Sequence, residues 1–128
     1  MKTPFKYIAG ILLMTALLTA TPVHAEPEQA VQTLFTNLLT ALVRNDYEGF
    51  AAECTPARQS VLTRPAFAES SQKIAARANG GYDALYFGDY RQKGHTGYVW
   101  RLRFKDGGDD ILATLIPTDG KCSMLYLH

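Results

Sequence analysis

From Pro27 to Arg44 the apolar residues Ala30, Val31, Leu34, Phe35, Leu38, Leu39, Leu42 and Val43 recur at intervals of three and four. That period places them on one wide face of a helix. Asn45-Asp46 ends it, because short polar side chains compete for nearby backbone hydrogen bonds and favour turns and caps. Asp46 then caps a helix of one or two turns, YEGFAAEC, which points Tyr47, Phe50 and Ala51 inward. Cys54-Thr55-Pro56 is predicted to stop this helix, since the residue before a proline is pushed out of the helical region. A third helix follows in LTRPAFAESSQKIAARANGG, with Thr63 as N-cap, Pro65 in the first turn and Gly80-Gly81 as the C-terminal stop. Its apolar face, Phe67, Ile74 and Ala78, is thinner than that of the first helix.

After Gly81 the period falls to two, and aromatic and branched residues dominate between turn signals. YDALYFGDYRQ, TGYVWRLRFK, DILATLIP and KCSMLYLH are separated by Lys93-Gly94-His95, Asp106-Gly107-Gly108-Asp109 and Asp119-Gly120. Turns this short join neighbouring strands in an antiparallel meander. In the second strand Tyr98, Trp100, Leu102 and Phe104 share one face, and Val99, Arg101, Arg103 and Lys105 the other. One face is therefore core and the other meets water. Helices followed by an antiparallel sheet is the α+β pattern: three N-terminal helices packed on a curved four-stranded antiparallel sheet.

The first 25 residues stand apart. Lys2 and Lys6 precede an apolar run from Tyr7 to Leu18, and Val23-His24-Ala25 precedes Glu26. This is the pattern of a secretory signal peptide, and its apolar run is shorter than the ~20 residues of a transmembrane helix. Residues 1–25 are accordingly expected to be removed, leaving one domain over 26–128 in the periplasm or outside the cell, with no membrane attachment. Loss of Lys2 and Lys6 moves the formal charge from +1 to about −1. No basic excess remains to drive binding to nucleic acid.

Cys54 and Cys122 are the two cysteines, and an oxidising compartment lets such a pair persist as a disulfide. Closing so long a loop stabilises by about 4 kcal/mol in the chain-entropy model. The alternative is two buried thiols. Past the leader the histidines are His95 and His128, with no spacing that gathers ligands, so no metal site and no cofactor is expected.

The helix stripe running into RNDYEGFAAECTP, the helix from LTRPAF, and the strands YVWRLRFKDG and ILATLIPTDGKCSMLYL together resemble the nuclear transport factor 2-like superfamily, the cystatin-like α+β cone. The resemblance covers nearly all of residues 26–128. It implies a sheet wrapped around a long helix, with a ligand at the open end of the cone. Enzymes, binding modules and assembly domains all use this fold, so it does not fix function.

Catalytic members of that superfamily use an Asp base with a Tyr or acid donor, or a His paired with a carboxylate, and no such set matches here residue by residue. Asp83 and Asp89 flank Leu85 and Phe87 in the first strand and are the carboxylates an isomerase or cyclase would need. Tyr47, Phe50, Tyr86, Tyr98, Trp100 and Tyr126 would line a pocket for a small apolar ligand; ordinary core packing explains the same residues. Arg101, Arg103 and Lys105 read as a solvated sheet face balanced by Asp109 and Asp110, or as a site for an acidic partner. Charges on that face argue for a polar or weak dimer interface. Ser60, Ser70 and Ser71 lie in no nucleophile motif, and Cys54 has no His placed beside it. The expectation is a non-catalytic exported domain that binds a small ligand or a protein partner. The alternative is a small Asp- and Tyr-dependent enzyme.

Overall fold

The computed structural model describes residues 26–128, so the expected signal peptide, residues 1–25, lies outside the described residues. Four helices precede four strands: α1 (Gln29–Val43), α2 (Tyr47–Ala52), α3 (Pro56–Val61), α4 (Arg64–Ala78), β1 (Tyr82–Gln92), β2 (His95–Phe104), β3 (Ile111–Thr118) and β4 (Lys121–Leu127). The helix break after α1 is a left-handed turn at Asn45, with φ of 54°. The Asp46 N–H donates to Ala41 O at 2.8 Å, and its carboxylate accepts from Gly49 N at 2.9 Å, starting α2 as a side-chain cap.

The expectation of three helices is corrected to four. Thr55-Pro56 ends one helix and opens the next. Thr55 Oγ1 accepts from Arg58 N at 3.2 Å and Pro56 occupies the first turn, where its missing N–H is no loss.

The sheet is open and wholly antiparallel, in the order β1-β2-β3-β4. Its two tightest hairpins pair Gln92 with His95 and Thr118 with Lys121. The central residues, Lys93-Gly94 and Asp119-Gly120, all have φ between 50° and 77°, which matches the right-handed strand twist. β1 carries a bulge between Tyr86 and Gly88. Gly88 has a φ of 141° there, a conformation that side chains rarely adopt.

Cross-strand partners place Tyr82, Ala84 and Tyr86 on the same face as Phe104, Leu102 and Trp100. Ala113 and Leu115 join them from β3, and Leu127 and Leu125 from β4. This inner face receives α1, whose Val31, Leu34, Phe35, Leu38, Leu39, Ala41 and Leu42 are buried. Phe35 stacks flat on Trp100, with ring centroids 3.8 Å apart. Ala30 and Val43, placed on the apolar stripe by periodicity, are exposed and half-buried at its margin.

α4 buries Phe67, Ser71 and Ile74. The hydroxyl of Ser71 donates to Leu42 O at 2.6 Å, tying α4 to the end of α1. At the other end Arg77 makes bonds of 2.9 and 3.2 Å to the Asp106 carboxylate and 2.6 Å to Asp109 O. These fasten α4 to the turn between β2 and β3.

Hydrogen bonds from Arg77, and then from Gly108 N, hold the Asp106 carboxyl below its ordinary range. A carboxyl depressed in the fold contributes stability above its unfolded pKa of about 3.9 and loses it as pH falls through the folded value. Acid titration of Arg77→Ala followed by circular dichroism should therefore show less loss of stability below pH about 4 than the parent chain. An unchanged acid limb would separate the pair from the fold's acid sensitivity.

The outer face differs from the charged surface expected from β2 alone. Arg101 lies across from Leu85 and Leu112, and Leu85, Phe87, Leu112 and Tyr126 are 48%, 54%, 40% and 40% exposed. The charges of β2 occupy one strand of four, and the neighbouring strands supply an apolar part.

Candidate functional site

An open apolar cleft of about 100 Å³ lies between the helices and the edge strand β4. Its floor is Leu125 and Leu127, which alternate with the outward Tyr126 along β4. α1 contributes Leu42, α2 Phe50, and α4 Ala66, Phe67 and Ser70. α3 and its C-cap complete it with Arg58 and Leu62. A second recess of about 210 Å³ shares Ser70 and Leu127 and adds Lys73, Ile74, Ile111 and His128.

The wall is rigidly set. Phe67 packs between Phe50, at 5.2 Å, and Tyr47, edge-on at 5.7 Å. The Tyr47 hydroxyl donates to Leu62 O at 3.2 Å, and the Arg64 guanidinium lies 4.3 Å over its ring. Backbone bonds from Thr55 N to Cys122 O (3.0 Å) and from Cys122 N to Glu53 O (2.8 Å) pin the start of α3 to β4. That pinning brings Arg58 to the cleft.

Arg58 is half-buried, and its Nε is shielded from solvent without a hydrogen-bond partner. The ion pairs among the described residues engage Arg64, Lys73, Arg77, Arg101 and Arg103, and leave Arg58 without a carboxylate. A guanidinium in apolar surroundings with an idle donor is the site's one electrostatic asymmetry.

Of the residues expected to line a pocket, Phe50 does so and Tyr47 supports the wall from behind. Trp100, 1% exposed, and Tyr86 and Tyr98 belong to the packing around α1 at the inner face. Tyr126 stands on the outer face beside His128, ring centroids 5.9 Å apart. The rest of the lining escaped sequence reasoning. Arg58 sits in α3, a helix that the patterning does not mark, and Leu125 and Leu127 lie in a strand whose alternation alone does not show which neighbours they meet.

Asp89 is exposed, and the Tyr86 hydroxyl donates to its Oδ2 at 3.5 Å. Burial, then the Asp89 charge, pushes the Tyr86 phenol up to about 12. Asp83 is exposed on the outer face opposite Arg103. Neither carboxylate reaches the cleft.

Cys54 and Cys122 meet as expected, 4.4 Å apart, but as buried free thiols. The anticipated disulfide is absent. The Cys54 Sγ–H donates to Phe50 O at 3.3 Å. The neighbouring Cys122 thiol lowers the Cys54 pKa against the opposing effect of burial, and Arg58 lowers it further. The nearby Cys54 thiol, with burial, raises Cys122. Comparison with protein-family models and with curated proteins finds no match for this chain, so the chemistry of the cleft rests on its own residues.

Proposed function

We propose that this chain is a non-catalytic exported domain of the nuclear transport factor 2-like type that holds a small, largely apolar ligand in the cleft between its helices and β4. The observation that carries the reading is the cleft itself: an opening lined by Leu42, Phe50, Leu62, Phe67, Leu125 and Leu127 at the edge of the core. Concave apolar sites with few convergent polar groups are where small molecules bind. Helices followed by a four-stranded meander, with the longest apolar helix face on the sheet, support the superfamily assignment. The Lys2, Lys6 and Tyr7–Leu18 pattern supports export to the periplasm.

The isomerase or cyclase alternative is less well supported, because a general base works best when shielded and aimed at its substrate. Asp83 and Asp89 are exposed and away from the cleft. A second binding reading has an observation of its own. Leu85, Phe87, Leu112 and Tyr126 expose apolar surface on the outer sheet face, which suits a protein partner or a second copy of the chain.

Native mass spectrometry of the protein, purified gently from the compartment it is exported to, tests both. A co-purifying small mass that is lost on denaturation is the expected result. A bare monomer mass would count against the ligand reading, and a doubled mass would move the weight to the outer face.

A further inference from the structure

We propose that the cleft selects small monocarboxylates with an apolar body, the carboxylate on Arg58 and the carbon chain or ring against Phe50, Phe67 and Leu125. This deepens the ligand-binding reading above and rests on it. Arg58 is the charged member of the lining, and its Nε is cut off from water with no acceptor. No carboxylate of the described residues pairs with Arg58, so an arriving anion meets an unneutralised guanidinium whose terminal nitrogens still have donors to give.

A carboxylate is the matching acceptor. Its two oxygens meet the planar guanidinium fork as parallel charge-assisted bonds. The Ser70 hydroxyl supplies a second polar group in the lining. A phosphate or sulfate gains less here, because it has no apolar body to lay against Phe50, Phe67 and Leu125 and would have to give up hydration for one guanidinium. A cation is excluded by like charge with Arg58. A wholly neutral hydrocarbon would fill the cleft but leave Nε idle.

Size narrows the class further. A dry cavity of about 150 Å³ takes a benzene-sized molecule. This cleft, at about 100 Å³, is smaller than that cavity but open to solvent, and therefore suits a short alkyl chain, or a single ring that stays partly outside it.

Hexanoate and benzoate, paired with neutral hexanamide and benzamide, provide the probes, and amide chemical shifts of Phe67, Ser70, Leu125 and Leu127 the readout. Each acid is expected to bind at least about tenfold more tightly than its amide, as for one charge-assisted hydrogen bond. Inorganic phosphate is expected to leave these shifts unmoved. In Arg58→Met the preference for the acid should vanish, and Arg58→Lys, which keeps the charge but loses the fork, should retain part of it. The ligand-free Arg58→Met protein should melt no lower than the parent, since an uncompensated donor has been removed; this keeps a lost preference from being mistaken for a lost fold.

Equal binding of acid and amide to the parent chain would overturn the carboxylate proposal while leaving the cleft as a ligand site. Displacement of hexanoate by phosphate would overturn it as well. Probes that shift none of the four residues would overturn both readings together.

Discussion

Truncating Trp100 to alanine should cost about 3 to 5 kcal/mol, the range for removing a large aromatic from a packed core. The domain is small, and total stabilities run from about 5 to 15 kcal/mol, so the variant stands at the edge of unfolding at room temperature. Trp100 is where three parts of the structure meet. Its ring lies parallel to Phe35 of α1 at 3.8 Å and tilted against Tyr86 of β1 at 5.3 Å. Its cross-strand neighbour in β3 is Ala113, a residue too small to refill the space. The indole N–H reaches Gln32 Oε1 at 3.4 Å, tying the sheet to the first half of α1.

Urea melts followed by far-ultraviolet circular dichroism measure the loss, since the chain's one tryptophan is the residue removed. Trp100→Phe should lose less than half as much, because it keeps most of the ring and gives up a long hydrogen bond. An alanine variant within about 1 kcal/mol of the parent would mean that α1 and the sheet are not held together through this stack.

Much of the domain could be read from patterning alone because its long elements are consistent at every level. The α1 face, the strand alternation and the two Gly-containing hairpins each point to the same structure, and locally consistent signals are the readable ones. Misreadings arise where one residue serves two elements. Proline at 56 stops α2 and starts α3, and the rule that ends helices before proline does not say whether a cap such as Thr55 will begin another.

Ser71 is another such position. A polar residue on the buried side of α4 thins the apolar periodicity, and only the carbonyl of Leu42, 29 residues earlier in the chain, explains it. The cleft was the least legible part. Its walls come from α1, α2, α3, α4 and β4, so no single period or motif marks it. Aromatic residues drew attention to Trp100, Tyr86 and Tyr98, yet their size is what makes them core. The cleft is lined largely by leucines and phenylalanines that look ordinary one at a time, and by an arginine whose missing partner is visible only in three dimensions.

Ala66→Trp should weaken binding of hexanoate in the cleft at least about tenfold while leaving the fold intact. Ala66 lies in the first turn of α4, exposed to solvent, with its methyl group on the cleft wall. Its backbone N–H donates to Thr63 Oγ1 at 3.3 Å, a capping bond that any residue except proline preserves. The helix-propensity penalty for tryptophan is a few tenths of a kcal/mol, about 0.5 at most. An indole at this position has apolar company in Phe67 and Leu62 within the lining, so its favourable place is the cleft volume itself.

Affinity should then fall by at least about tenfold, the loss of roughly 1.4 kcal/mol, and the melting temperature should stay within a few degrees of the parent. Ala30→Trp is the matched control, an exposed alanine on α1 outside the cleft lining. It carries the same propensity change and should bind hexanoate as the parent does. If Ala66→Trp binds hexanoate unchanged, the ligand does not use this opening. The exposed Leu85, Phe87, Leu112 and Tyr126 on the far side of the sheet then become the surface to alter next, because they gather exposed apolar area on one face.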